Sequence, residues 1–179
     1  MNYFPFILNS VLQSNLNLAQ DHIIDLTALS ESNEYKNRRL FVSSLRKTII
    51  ILTASTIEAL LLWKLKEIHK INSIELVDEW KYLNIKTIYT ISLSEEVITG
   101  IRKKEKKDME KLDFIRIIDL SVKHKIIRSS KLKLNVNAVR KLRNRLHIGG
   151  LAEIEKEYKP EDLEFCFKIA KKVREIVSR

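Results

Sequence analysis

The sequence LRKTIIILTASTIEALLLWKLKEIHK, residues 45–70, carries the strongest helical pattern of the chain. Within it, apolar or small residues recur three or four positions apart: Leu45, Ile49, Leu52, Thr56, Leu60 and Trp63. That spacing places them on one face of an α-helix. The pattern predicts a long helix that runs to about Lys70, with Ser32 or Asn33 as its N-cap. We expect this helix to be the central rod of a helical bundle.

Four other helical patterns accompany this rod. They cover residues 6–29, 112–127, 135–148 and 160–177. In each of them, apolar residues recur at helical spacing. Gly149 and Gly150 supply a stop after the third of these patterns, because glycine readily adopts the positive φ found just past a helix end. Pro160, followed by two carboxylates, is typical of the first turn of a helix.

Between the rod and residue 112 the apolar pattern changes to a period of two. Residues 83–91 alternate in this way, SLSEE follows at residues 92–96, and a second β-like run covers residues 97–101. Alternation is typical of β-strands, so we predict a β-hairpin inserted at about residues 82–103. The charge run RKKEKKDMEK, residues 102–111, fits either a solvated hairpin edge or loop, or an arm that contacts RNA.

The composition limits the fold class. The chain has 179 residues, of which 45% are hydrophobic, and this is enough for one domain with a real core. Three glycines and two prolines leave few helix breakers. We therefore expect residues 1–179 to form a single, mostly α domain, a bundle of four to five helices with the inserted hairpin.

Charge and cysteine content limit the function. The net charge of +10 favours a polyanionic partner such as RNA, although a lysine-rich proteome would explain it equally well. Cys166 is the only cysteine, and no Cys/His cluster has zinc-ligand spacing, so we expect neither a metal nor a cofactor. Residues 1–10 lack the features of a signal peptide, and polar side chains interrupt residues 48–63. We therefore expect a cytoplasmic protein without a membrane span.

The stretch VRKLRNRLHIGG, residues 139–150, groups basic side chains with a histidine. At about 100° per residue, Arg140 and His147 lie only about 20° apart around a helix axis. Arg143 and Asn144 lie about 40–60° to either side of them, and Arg145 lies off this stripe. A neighbouring apolar stripe can bury against the rod: Val139, Leu142 and Leu146. The polar stripe is therefore expected to be held in place by packing.

These side chains suit phosphate chemistry. A histidine titrates near neutral pH and can move a proton, while an arginine holds phosphate oxygens with a planar fork of donors. Both on one rigid face are what metal-free phosphodiester cleavage requires. The alternative is that His147 is a helix-end histidine stabilised by the helix dipole and that Arg143 and Arg145 face solvent. Asn144 is either a surface residue or a group that hydrogen-bonds across a dimer.

The stretch VRKLRNRLH resembles the signature helix of the HEPN superfamily, the higher eukaryote and prokaryote nucleotide-binding helical-bundle domains. That signature is written R-x(4–6)-H. Arg140 and His147 fit this spacing at its long limit, whereas Arg143 lies too close to His147, so which arginine has the signature role stays open. TASTIEALLLWKL, residues 53–65, resembles the earlier bundle helix of such proteins. The resemblance implies that Glu58 lies inside the bundle and orients Arg140 or Arg143; otherwise it is an exposed helix charge.

The resemblance implies a metal-independent endoribonuclease. Arg140, Arg143 and His147 would be its catalytic residues, with Asn144 and Glu58 in support. It also implies a homodimer in which two signature helices line one cleft, and a place in a toxin–antitoxin or antiphage system with a nucleotidyltransferase-type antitoxin. Two alternatives remain: a non-catalytic HEPN-like module that binds RNA, nucleotide or protein, and a structural bundle whose positive charge is incidental.

Overall fold

The computed structural model describes residues 1–72, 78–106, 111–145 and 157–179. These residues contain five α-helices and one two-stranded antiparallel sheet, which confirms the mostly α class. The chain divides into two compact units. The first comprises Met1–Leu65 and Phe114–Arg179, and the second comprises Lys66–Asp113.

Helix α1 spans Ser10–Glu31 and begins four residues later than predicted. The Asn9 side chain caps it by accepting a hydrogen bond from the Leu12 N–H, and this fixes the start. Phe4 and Ile7, in the preceding segment, are nevertheless buried. The Gln13 side-chain amide donates to both of their carbonyl oxygens at 2.9 Å. Apolar residues before the helix therefore reach the core from a turn, in which the Ile7 N–H donates to the Phe4 carbonyl at 3.1 Å, and not from the helix itself.

Helix α2 spans Arg39–Asn72, and the predicted N-cap for it was wrong. Ser32 instead caps a one-turn 3-10 helix, Asn33–Tyr35, by accepting a hydrogen bond from the Glu34 N–H. Ser32 is thus an N-cap, as its residue type indicates, but the helix that it caps is a short 3-10 turn that ends before α2 begins. The first unit contains α2 as far as Leu65.

The buried face of α2 forms the centre of the first unit. Its fully or almost fully buried residues are Ile49, Ile50, Ala54, Ile57, Leu60, Leu61 and Leu65. By length and composition, Arg39–Lys70 could cross a membrane, and half of its most apolar window is buried. The core helix of a water-soluble protein passes the same test, so this property alone is weak evidence for a membrane span.

Three further helices complete the first unit: α3 at Phe114–Lys123, α4 at Ser130–Asn144 and α5 at Pro160–Val177. The limits of α5 match the prediction. Helix α4 begins five residues before the predicted start because the Ser129 side chain caps it, accepting from the Leu132 N–H. It ends at Asn144, four residues before the predicted end, with Arg145 as its C-cap. The predicted stop at Gly149 and Gly150 lies outside the described residues.

Helices α2 and α5 run in the same direction through the first unit. Near the start of α2, Ser43 accepts a hydrogen bond from the Tyr158 N–H, just before α5 begins. Farther along α2, Lys64 donates to the carbonyl of Val177, the last residue of α5. Cys166 of α5 is fully buried and packs as a small core residue. Burial and the nearby Asp162 carboxylate raise the pKa of its thiol to about 12.

The second unit contains the predicted hairpin, in which β1 spans Asp78–Ser92 and β2 spans Glu95–Lys106. Both strands are longer than predicted, and the first part of the charge run continues β2 rather than forming a loop. The period-two pattern of residues 83–91 does form a strand, but its pairing with β2 is not regular. Three register shifts interrupt the ladder, and each leaves one extra residue on β1. Bulges of this kind twist a strand and re-aim its side chains.

The first of these bulges depends on two residues with special backbone requirements. Asn84 has a φ of +52°, in the left-handed region that asparagine tolerates and that β-branched residues avoid. Gly100 lies opposite the bulge, where an added Cβ would stand 3.1 Å from the Leu83 carbonyl oxygen. The hairpin therefore has a defined kink between Leu83 and Lys86.

This kink can be tested at one position. We expect Asn84→Val to reduce the hydrogen-exchange protection of hairpin amides by about tenfold, since left-handed backbone costs a residue with a Cβ roughly 1–2 kcal/mol. Asn84→Gly, which removes that cost, should keep or increase the protection. Equal protection in both variants would contradict the positive φ at Asn84.

Candidate functional site

Helix α4 places the basic residues of the predicted stripe at the margin of the core. Val139 is fully buried, whereas Arg140, Arg143 and Asn144 are half-buried. The two arginines are three positions apart, which puts them about one turn apart on the same side of the helix. The predicted catalytic His147 lies outside the described residues, as does Leu146 of the apolar stripe.

An ion pair joins α4 to α2 at this margin. The Arg143 guanidinium donates to the Glu58 carboxylate in a short, direct hydrogen bond. Their side chains are only 26% and 23% exposed, so solvent screens the pair less than it screens a surface pair. The expected pairing of Glu58 with an arginine of the fourth helix is confirmed, and the arginine is Arg143.

An aromatic ring also supports the Arg143 side chain. The guanidinium carbon lies 5.3 Å from the ring centroid of Phe114, the first residue of α3, within the range of a cation–π interaction. Phe114 itself is buried. Arg143 is thus held from two sides, by a carboxylate of α2 and by a ring of α3.

Arg140 has a different, local environment. Its Nε donates to the Asn137 side-chain oxygen at 2.8 Å, one turn earlier on the same helix. No described residue bonds to its two terminal guanidinium nitrogens. Arg145, the C-cap of α4, is exposed as predicted, and Asn144 is the last residue of the helix.

Two members of this cluster were missed from the sequence. Asn137 stands three residues before Arg140, a spacing at which helix neighbours touch, so it could have been found by that rule. Phe114 is separated from Arg143 by a helix and a loop, and its role as a platform leaves no trace in the local pattern. Arg140 and Asn137 are thus neighbours in the sequence, whereas the fold brings Phe114 to Arg143.

The strength of the Arg143–Glu58 pair can be measured by a double-mutant cycle with Glu58→Gln and Arg143→Gln. We expect a coupling of about 1–2 kcal/mol in the free energy of unfolding, because half-buried charges are poorly screened. Asp119 and Lys133, which pair α3 with α4 at 3.0 Å while 45% and 43% exposed, provide the matched control. Their coupling should stay below about 0.5 kcal/mol. Equal couplings for the two pairs would argue against a special role for Glu58.

The other histidines in the described residues do not assemble a second site. Among residues 1–72, 78–106, 111–145 and 157–179, no group of three or more His, Cys, Asp or Glu side chains could hold a metal ion. The buried Nε2 of His124 has no hydrogen-bond partner among these residues. Burial, together with the adjacent Lys123, lowers the pKa of His124 and favours its neutral form.

A cavity of about 720 Å³ lies between α1, α2 and α5. Phe4, Ile23, Leu60 and Phe167 are among its apolar lining residues. Its charged lining residues are balanced in sign: Glu31, Lys171, Arg174 and Glu175. Such a lining does not select an anion, so the α4 arginines are the better candidates for contact with phosphate.

Comparison with known proteins does not identify a relative of this chain. No protein-family model, curated protein or solved structure matches this chain. The chemistry of the residues on α4 and α2 is therefore the guide to function. That chemistry consists of a fixed, half-buried arginine, a second arginine with terminal donors to offer, and a histidine close by in sequence.

Proposed function

We propose that this chain is a metal-independent endoribonuclease of the HEPN type, which cleaves RNA through attack of the ribose 2′-hydroxyl. One observation carries the proposal: the Arg143–Glu58 ion pair fixes the basic face of α4 against the rod. Catalysis by charge stabilisation requires donors that are held in place before the reaction begins. The net charge of +10 supports an RNA substrate.

The two arginines would have different roles. Arg140 fits the R-x(4–6)-H spacing with His147, and its terminal nitrogens are available for a phosphate. Arg143 has its charge largely compensated by Glu58 and rests on Phe114. We assign phosphate binding to Arg140 and the positioning of the helix to Arg143. Asn144 would support the same face from the end of α4.

In the proposed reaction, His147 accepts the proton of a ribose 2′-hydroxyl while the oxygen attacks the adjacent phosphorus. The bond from phosphorus to the 5′ oxygen breaks, and the leaving oxygen takes up a proton from water. Arg140 stabilises the negative charge that develops on the phosphoryl oxygens. The products are a 2′,3′-cyclic phosphate and a 5′-hydroxyl, and no metal takes part.

The HEPN resemblance also supplies the proposed setting. In it, two chains form a homodimer that brings both Arg140–His147 sets to one cleft. A nucleotidyltransferase-type antitoxin would restrain the enzyme in the cytoplasm, within a toxin–antitoxin or antiphage system. Asn144, at the half-buried end of α4, would then lie near the partner chain.

The activity is tested by incubating the purified chain with end-labelled RNA in EDTA and analysing the product ends. We expect fragments with cyclic phosphate and 5′-hydroxyl ends. DNA of the same sequence should stay intact because it lacks the 2′-hydroxyl nucleophile. Equal cleavage of DNA would rule out this mechanism.

The same ion pair favours a second candidate, a non-catalytic HEPN-like module that binds RNA, nucleotide or protein. Arg143 is already neutralised by Glu58, which suits a structural role as well as a catalytic one. This candidate predicts RNA binding without any cleavage, in the original chain and in a His147→Ala variant alike. A purely structural bundle predicts weak, salt-sensitive RNA affinity that does not depend on Arg140.

A further inference from the structure

Strand β2 presents apolar side chains on both faces of the hairpin. Val97 and Ile101 lie on one face and Ile98 on the other, and they are 43%, 59% and 50% exposed. In the described part of the chain, the sheet has only two strands. A two-stranded sheet of this kind is marginally stable in water and gains from an added strand.

The two edges of the hairpin are not equivalent. All three register shifts place the extra residue on β1, so the β1 edge is broken at each of them. β2 carries no extra residue from Glu95 to Lys106. Bulges hinder the pairing of another strand, whereas a regular edge accepts one. The edge of β2 is therefore the one suited to strand addition.

Charges along β2 change sign from one end to the other. Glu95 and Glu96 are exposed next to the turn, and Arg102 and Lys103 are exposed at the opposite end. Thr99 lies midway between these two pairs. When β2 is placed antiparallel to a copy of itself about Thr99, Glu95 faces Lys103, Glu96 faces Arg102, Val97 faces Ile101 and Ile98 faces Gly100.

We propose that β2 pairs with β2 of a second copy of this chain, antiparallel and centred on Thr99, to form a four-stranded sheet across a two-fold axis. Val97 of each copy then lies opposite Ile101 of the other.

The charge pattern of β2 favours a second copy of the chain over RNA or an anionic membrane as the binding partner. RNA or an anionic membrane would be repelled by Glu95 and Glu96 at one end of the same edge, whereas a second copy places a cation opposite each. The proposal does not depend on the ribonuclease function, since no residue of α4 contributes to it. It predicts a self-complementary interface of the kind found in two-fold dimers.

Two charge variants of the full chain test the interface. The basic variant carries Glu95→Lys and Glu96→Lys, and the acidic variant carries Arg102→Glu and Lys103→Glu. The unmodified chain is expected to be dimeric by light scattering at low salt. Each variant alone should lose the β2 contact because like charges meet, which gives a monomer or a less stable dimer held by α4 alone. An equimolar mixture should restore the stability of the original dimer as a heterodimer. Circular dichroism of each variant confirms that it is folded.

Other outcomes overturn the proposal. A monomeric unmodified chain would do so, and so would a dimer whose stability neither charge variant lowers, which would point to α4 instead. A monomer that binds single-stranded RNA, with binding lost in the acidic variant, would identify RNA as the occupant. If variants without the β2 contact still cleave RNA, cleavage does not need this interface. If a β2-paired dimer does not cleave RNA, the proposed function fails while the interface stands.

A cysteine at the centre tests the register. Directly opposed residues of antiparallel strands have Cα atoms roughly 4.5–5.5 Å apart, within the range of a disulfide. Thr99→Cys should therefore cross-link two chains under mild oxidation. Thr90→Cys, exposed on β1, should not, and the native Cys166 is buried and inert. Equal cross-linking of both variants would exclude pairing about Thr99.

Discussion

Alanine at position 147 is expected to lower the rate of RNA cleavage by about 10²–10⁴-fold, the usual contribution of a general acid or base. The reason is that the proposed 2′-hydroxyl attack needs a group that accepts a proton near neutral pH, and His147 is the histidine nearest the α4 arginines in sequence. The measurement is the initial rate on labelled RNA in EDTA. Binding of a 2′-deoxy RNA analogue, which cannot react, should change little.

His22 provides the control for this substitution, because it is exposed on α1. His22→Ala should cleave RNA at the rate of the unmodified chain. If His147→Ala also keeps full activity while remaining folded, the proposed catalytic role is wrong and the activity belongs to another group.

Alanine at position 140 is expected to slow cleavage by about 10²–10³-fold, the typical effect of removing one donor that stabilises transition-state charge. Arg140→Lys should recover only part of the rate, since lysine keeps the charge but lacks the planar fork. RNA binding gives a second readout. The slope of log affinity against log salt concentration should fall by about 0.7 for one lost phosphate contact on a single strand.

Arg145→Ala is the matched control for Arg140→Ala. Arg145 is exposed and lies off the stripe at the C-cap of α4, so its removal should change cleavage by no more than a few-fold. Similar losses in both variants would indicate that general positive charge, rather than a specific contact by Arg140, supports activity.

Some of the fold could be predicted because its signals are local. Pro160, with the carboxylates that follow it, starts α5 where the sequence indicates. The start of α4 was missed because Lys131 and Lys133 interrupt its first apolar positions, although the Ser129 cap was there to be read. In such cases capping chemistry is a better guide to a helix start than apolar periodicity.

Other features depend on contacts that no local pattern records. The apolar residues of β1 alternate almost regularly in the sequence, so the pattern reveals neither the bulges nor the positive φ of Asn84. The Arg143–Glu58 pair joins residues 85 positions apart. It was expected from the HEPN resemblance, whereas the choice of Arg143 over Arg140 depends on how α4 packs against α2 and α3.

Because only the β2 edge of the hairpin suits strand addition, the hairpin also limits the size of an assembly. Amyloid-like fibrils lengthen because every added molecule offers a fresh strand edge to the next one. Here the three bulges leave β1 without a regular edge, so a hairpin that has joined through β2 has nothing left to extend. The three bulges would therefore limit the proposed assembly to two copies. β2 pairs with one partner, and β1 offers no regular edge to a third molecule.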